Sequence, residues 1–290
     1  FLAFLPVRKL IVHERGTVWN QRSTGWIISR FVSWKAQVIL SNSFATKTML
    51  VKKFFIPEKK IQVLHNGINT LLNPECRINQ KKHSSIFYIG FIGRLDSPKG
   101  VHVLVDAMQY LKNSNIKLII AGEGVLGDIL KKSSSKLHNV KFIGRVKDPC
   151  LFMNKIDLLI VPSIREPLGN VCLEAGLCKV PVLAANVDGL PEIIEDKVSG
   201  ELIEATDQVL VDLEEGAVPL PEFVVNPDTQ QLCLPKQINP TLLAKQILAL
   251  STEPDKLNYY AVNLHDKVTS YFNINRYRAE LHKIYSEMFF

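Results

Sequence analysis

The 290-residue chain has no run of eighteen apolar residues, so no segment reads as a membrane-spanning helix. Its opening, FLAFLP, lacks the basic flank of a secretory leader. Its five cysteines (Cys76, Cys150, Cys172, Cys178, Cys233) are an odd set without a C-x-x-C pair. Neither a zinc site nor a disulfide framework fits that pattern, and a reducing compartment does. Internal repeats and low-complexity tracts are missing. So are a Ser-His-Asp elbow and any His/Cys/Asp/Glu cluster at metal-ligand spacing.

What is present is 47% hydrophobic residues and a mean hydropathy of +0.08, enough for a sizeable core in about two domains. The net charge of +7 hides a division. Residues 1–82 carry a net +11 and the remaining 208 a net −4. The positive field belongs to the N-terminal third, which bears on partners and not on fold.

Strand-like and helix-like patterns alternate. RKLIVH (8–13), AQVILS (36–41) and KKIQVLHNG (59–67) read as strands. Helices are expected over 22–35 and from Phe44, where Ser41-Asn42-Ser43 offers a cap. Residues 68–85 read as a linker. A second α/β register follows, with strands at 86–93, 116–122, 140–144, 156–161 and 180–185. Helices are expected at 101–112, 124–136 and 148–154, after Gly169, and from Leu190. Such alternation predicts a parallel, doubly wound sheet. Residues 207–236 break it: they are acidic, contain proline and partly alternate, as a hairpin or flap would. Helices at 240–252, 256–271 and 275–289 end the chain.

The chain is organised around 156–204. The apolar run Ile156–Val161 predicts a buried parallel strand whose end presents Glu166, followed by a helix opening at Pro167-Leu168-Gly169-Asn170. Val171, Leu173, Ala175 and Leu177 are its expected core positions. Glu174 stands eight residues after Glu166, so both carboxylates flank a helix N-terminus at the ligand edge of the sheet. That terminus suits a phosphate, and the carboxylates beside it suit sugar or ribose hydroxyls. The competing reading is two ordinary surface glutamates.

Gly93-Arg94-Leu95-Asp96-Ser97-Pro98-Lys99-Gly100 brings two cations to the same edge, which fits a departing diphosphate, or else is a plain basic loop. Gly122-Glu123-Gly124-Val125-Leu126-Gly127 matches G-x-G-x-x-G, but VKFIGRVKD lacks the acid that dinucleotide binding requires. Gly122 and Gly124 then read as a tight turn lining the site. His13, ending a strand, faces the cleft or is structural. Trp26, Trp34 and KTMLVKKFFIPEKK (47–60) suit an anionic bilayer surface, or else a core with a solvated cationic face. No nucleic-acid motif accompanies the basic charge.

These residues resemble the retaining glycosyltransferases of the GT-B fold, family 4 (glycosyl transferases group 1). The likeness rests on NG at 66–67, GRLDSPKG at 93–100, AGEG at 121–124, the E-x7-E pair in EPLGNVCLE, and GLPEII at 189–194. It implies an α/β chain of two Rossmann-like domains with doubly wound parallel sheets. Residues 1–82 would be an incomplete N-terminal acceptor-side domain plus linker, since the family's opening strand and Gly-rich loop have no match. Residues 83–272 would be the nucleotide-sugar-binding domain, with 207–236 as an insertion foreign to the family pattern. Residues 273–290 would form a helix crossing back.

Carried over, Gly93, Arg94 and Lys99 would hold the diphosphate, Glu166 the donor-sugar hydroxyls and Glu174 the ribose. Backbone N–H groups of Leu168, Gly169 and Asn170 would approach the phosphates, and His13 would lie near the reaction centre. The resemblance implies transfer from a nucleotide-sugar donor, a UDP-sugar, to a hydroxyl with retention and without metal or cofactor. The acceptor expected is a lipid-linked or cell-envelope glycan, as in polysaccharide or lipopolysaccharide synthesis. The location expected is cytoplasmic, peripheral at the inner face of the membrane. The alternatives are a truncated, non-catalytic nucleotide-sugar-binding remnant and a sugar-nucleotide epimerase of similar fold.

Overall fold

A computed structural model describes residues 9–16, 26–70, 85–210 and 217–289. The N-terminal part begins with β1 (Ile11–Glu14), α1 (Trp26–Lys35), β2 (Val38–Ser41), α2 (Phe44–Lys52) and β3 (Ile61–Val63). The strands pair in parallel in the order β1-β2-β3. Ser43 caps α2 as expected, its hydroxyl accepting from the Thr46 N–H at 2.9 Å. Glu58–Lys60 forms a 3₁₀ turn, so the third strand is shorter than the expected 59–67. β2 falls within the expected strand 36–41, beginning at Val38. Residues 22–25 and most of the expected linker fall outside the described residues.

The second part is β4 (Phe87–Ile92), α3 (Val101–Met108), β5 (Ile116–Ala121), α4 (Gly127–Ser133), β6 (Val140–Gly144) and α5 (Pro149–Met153), then β7 (Leu158–Val161), α6 (Asn170–Leu177), β8 (Val182–Ala185), α7 (Leu190–Ile193) and β9 (Glu201–Ile203). The helix expected from Leu190 is a single turn, because Ile194 turns extended. The six strands are all parallel in the order β6-β5-β4-β7-β8-β9. That is the doubly wound arrangement read from the alternation. Its strand order reverses between β4 and β7, the position where open α/β sheets leave a crevice. β7 and β8 are buried at every residue, which is why 156–161 and 180–185 read as continuous apolar runs and not as alternations.

The stretch that breaks the pattern is ordered by pairing. β10 (Ala205–Gln208) and a later β11 (Val224–Val225) and β12 (Leu232–Cys233) precede β13 (Lys236–Ile238). β10 pairs antiparallel with β13, and β11 with β12. The chain ends in α8 (Pro240–Ser251), α9 (Pro254–Ser270) and α10 (Ile274–Phe289).

Two cores result. The larger surrounds the six-stranded sheet, and the smaller holds Ile39, Met49, Leu50, Phe54 and Ile61. α10 crosses to the N-terminal part: Ile68 and Ile274 exchange backbone bonds with the Phe272–Ile274 and Ile68 segments, and the Arg276 guanidinium donates to the carbonyls of His65 and Asn66. Of the cysteines, Cys172, Cys178 and Cys233 are free, whereas Cys150 is disulfide-bonded. Local spacing gives no sign of that bond, so the reading against disulfides fails at Cys150.

Candidate functional site

The two loops at the switch point are clasped together. Gly100 has φ 64°, and a Cβ on it would stand 1.9 Å from the Pro162 carbonyl oxygen. Only glycine lets the loop after β4 sit so close to the loop after β7. The N–H groups of Ile164 and Arg165 both donate to the Pro98 carbonyl, at 2.9 and 3.2 Å. Lys99 and Glu166 meet as a result: Nζ lies 2.6 Å from Oε2. The Ser163 hydroxyl donates to the same oxygen at 3.4 Å. Arg94 projects outward, its side chain 62% exposed, with Asp96 3.4 Å away.

Gly169, at φ 101°, turns the chain into α6, whose first residues open onto the cleft. Glu174, one turn along, is half-buried, and that burial pushes its carboxyl above the usual carboxylate range. The inward face of α6 is Cys172, Leu173, Ala175, Gly176 and Leu177, while the expected core residue Val171 lines the cleft.

The cleft has a volume of about 470 Å³. It unites Gly93, Arg94, Lys99, Glu166, Leu168, Gly169, Asn170 and Glu174, eight of the eleven residues singled out by sequence. From the N-terminal part come Arg15, Asn42 and Asn66, and the Asn66 amide donates to the Asn170 side-chain oxygen across the gap at 2.8 Å. A smaller recess of about 300 Å³ continues past Glu174 between Arg15, Gly67 and Tyr277.

Three expected residues stand elsewhere. Gly122 and Gly124 are not in the lining: a Cβ on either would collide with the backbone of the β4 loop, 1.8 Å from Gly93 O and 2.5 Å from Leu95 O. The glycine turn braces that loop from behind. His13 turns onto α10, with Nε2 3.1 Å from the Tyr285 hydroxyl. Arg15, two residues on, is the one that reaches the cleft, its guanidinium donating to the Tyr277 hydroxyl at 3.1 Å.

Sequence reasoning missed Arg15, Asn42, Asn66 as a side chain, Ser163 and Asp188. Asp188 is buried at φ 49°, and its carboxylate accepts from the N–H of Glu166 at 2.8 Å and of Val225 at 2.7 Å. Burial is the largest influence and raises it to about 7, against the two backbone N–H groups and Arg165, which favour the charge. An aspartate directly before GLPEII was the available signal, since that place asks for a left-handed backbone.

Chemically, the cleft offers a fixed cation, an exposed guanidinium and a helix N-terminus for anionic oxygens. Its two carboxylates can accept from hydroxyls. Among the described residues no group of three His, Cys, Asp or Glu side chains could hold a metal ion.

Residues 74–213 match the family model of Glycosyl transferases group 1. The uncharacterized glycosyltransferase MJ1607 of Methanocaldococcus jannaschii is 35% identical over 177 residues, 56% of this chain and 45% of that protein. The N-acetylgalactosamine-N,N'-diacetylbacillosaminyl-diphospho-undecaprenol 4-alpha-N-acetylgalactosaminyltransferase of Campylobacter jejuni is 33% identical over 182 residues, 60% and 48% of the two chains. The chain thus spans about half the length of the curated relatives it matches. In structure it resembles Anabaena HepE, solved with UDP and glucose. The TM-score is 0.75 at 22% identity, covering 96% of this chain and 72% of that one, a likeness of fold. The fold is GT-B, and the segment 74–213 that carries the cleft's two loops is similar to the Glycosyl transferases group 1 family.

Proposed function

We propose that the chain supplies the donor site of a retaining, family-4 glycosyltransferase that moves a sugar from a nucleoside-diphosphate donor to a hydroxyl. The observation that carries this is the meeting of Lys99 and Glu166 at 2.6 Å on neighbouring strand loops, beside the N-terminus of α6. One group suits the leaving diphosphate and the other a sugar hydroxyl, within one bond length of each other. Arg94, Lys99 and the α6 N-terminus receive the diphosphate, with Gly93 allowing close approach and the N–H groups of Leu168, Gly169 and Asn170 facing the phosphates. Glu166 binds the donor sugar and Glu174 the ribose.

In the transfer, the bond from the anomeric carbon to the diphosphate oxygen breaks and one to the acceptor oxygen forms on the same face. The acceptor proton passes to the departing phosphate. No enzyme nucleophile, metal or cofactor has a part in this scheme, and catalysis is positioning and charge stabilisation. His13, placed near the reaction centre by family resemblance, would first have to leave Tyr285.

The donor proposed is a UDP-sugar, supported by the UDP-glucose with which HepE has also been solved. A lipid-linked acceptor in cell-envelope polysaccharide synthesis is supported by the undecaprenol acceptor in the Campylobacter relative's name. Docking at the inner membrane face, from the cytoplasm, is supported by Trp34 and Phe55, which are 73% and 72% exposed in the basic N-terminal third. Among the described residues no helix is long and apolar enough to cross a membrane.

Isothermal titration with UDP, GDP and ADP tests the donor site. One nucleotide should bind, and Arg94→Ala should weaken it about tenfold or more, the usual worth of a charge-assisted bond. Arg94 is exposed, so the variant keeps its fold. A folded protein that binds none of the three overturns the reading.

A further inference from the structure

The segment 217–238 has one role in the sheet pattern, which is to interrupt it, yet its contacts run in two directions. β11 places Val224 in the larger core and Val225, its neighbour, in the smaller one. On the N-terminal side the segment is tied by three polar contacts, two to α2 and one to Lys53 at its C-terminal end. The Thr48 hydroxyl donates to Gln230 Oε1 at 2.9 Å, Lys52 Nζ to Gln231 Oε1 at 2.7 Å, and Lys53 pairs with Glu222 at 2.9 Å. On the other side, Asp188 and Val225 exchange two bonds. The Val225 N–H donates to Asp188 Oδ1 at 2.7 Å, and the Asp188 N–H to the Val225 carbonyl at 3.1 Å.

The second oxygen of Asp188 accepts from the Glu166 N–H at 2.8 Å, while the next residue, Gly189, donates to the Glu166 carbonyl at 3.1 Å. Both backbone polar groups of Glu166 are therefore held by 188–189. Space is equally tight, since a Cβ on Gly189 would meet the Pro167 oxygen at 2.2 Å. Asp188 itself adopts φ 49°, a conformation that costs a non-glycine residue energy and persists where surrounding contacts over-determine it.

We propose that 217–238 is a strap coupling the N-terminal domain to the cleft, with Asp188 as the positioning residue that passes the strap's placement to Glu166. A single buried carboxylate joins the strap's strand to the loop that carries the sugar-facing side chain. Loosening α2 from the strap then loosens Glu166, although no residue of α2 lines the cleft. The effect on sugar binding rests on the donor reading above; the mechanical coupling does not.

Amide hydrogen exchange and titration on the full chain separate the two. In Asp188→Asn, which keeps one acceptor, exchange at the Glu166 and Val225 amides should rise about tenfold or more. Thr48→Ala/Lys52→Ala, on the α2 surface and outside the buried joint, should accelerate the same two amides. Faster exchange over 224–232 with Glu166 unchanged overturns the coupling.

With UDP and UDP-glucose as probes, both variants should weaken UDP-glucose by about tenfold more than UDP, because only the former meets Glu166. Equal losses for the two ligands would make Asp188 merely structural and overturn its positioning role. If the unmodified chain binds neither probe, the UDP-sugar reading fails and the exchange result alone decides the coupling.

Discussion

His65 Nε2 lies 2.6 Å from Glu192 Oε2, joining two residues 127 positions apart in the chain. The two oxygens of Glu192 also accept from the N–H groups of Phe44 and Ala45 at 2.9 Å each. A carboxylate of the segment that matches the group 1 model thus caps α2 of the N-terminal part from outside, where the helix dipole favours negative charge. Because a carboxylate only accepts, Nε2 carries the proton, and in the neutral ring Nδ1 accepts from the Tyr271 hydroxyl at 3.0 Å.

Glu192→Ala removes all three bonds and leaves a buried imidazole without its partner. The expected cost is about 2–3 kcal/mol, a lost cap plus an unsatisfied buried donor. Urea unfolding measures it, and a loss under about 0.5 kcal/mol would show that the cap carries no weight in the interface.

Gly100→Ala should cost about 2 kcal/mol or more. The left-handed backbone alone is worth about 1 kcal/mol, and the Cβ must push the Pro162 carbonyl from 1.9 Å. Since Gly100 sets the approach of the two loops, Lys99 and Glu166 should separate with it. Thermal unfolding and a crystal structure of the variant check both parts. An unshifted melting temperature would mean the loops have slack that the native packing does not show.

The doubly wound sheet was legible because fully buried parallel strands leave unbroken apolar runs, as at Leu158–Val161 and Val182–Ala185. The cleft was legible because its residues lie in two short loops, 93–100 and 162–170, each following such a run. What escaped is what depends on distance in the chain. Arg15 and His13 end the same strand, and nothing local tells which turns to the cleft and which to Tyr285. Gly122 and Gly124 carry a ligand-binding pattern, yet their missing side chains make room for protein backbone and not for a ligand. The insertion read as a hairpin or flap and does pair antiparallel, but its acidic, interrupted pattern conceals that Val224 and Val225 enter two separate cores.

Asp188 gives stability a pH slope. Its folded-state value of about 7 stands above the ordinary 3.8. Between about pH 4 and 7 the folded chain therefore keeps a proton that the unfolded chain has released. Stability should fall as pH rises through that window and level off above it. Arg165 opposes the shift, and the Glu166 carboxylate reinforces it. Asp188→Asn carries no titrating group, so the difference in unfolding free energy between it and the wild type should slope across pH 4–7, by an amount on the order of 4 kcal/mol. Chemical denaturation at several pH values provides the comparison. Parallel curves for the two proteins would place the Asp188 titration near the ordinary carboxylate range.

His13 and Arg15 provide the last expectation. Burial lowers the His13 pKa below 6.5, and the positive charge of Arg15 lowers it further. At pH 7 the ring is then neutral, so His13 acts through a hydrogen bond and not through charge, whether to Tyr285 or to a bound sugar. The folded state resists protonation, so this residue withdraws stability as pH drops below about 6.5. Arg15→Gln should move the His13 titration upward without restoring it fully, because burial, the larger cause, remains. Following the imidazole ring signals by NMR from pH 5 to 8 reads both values. A His13 that titrates above 6.5 in the unmodified protein, or one indifferent to Arg15, would show that the strand end is arranged differently, with the arginine pointing away from the ring and the cleft.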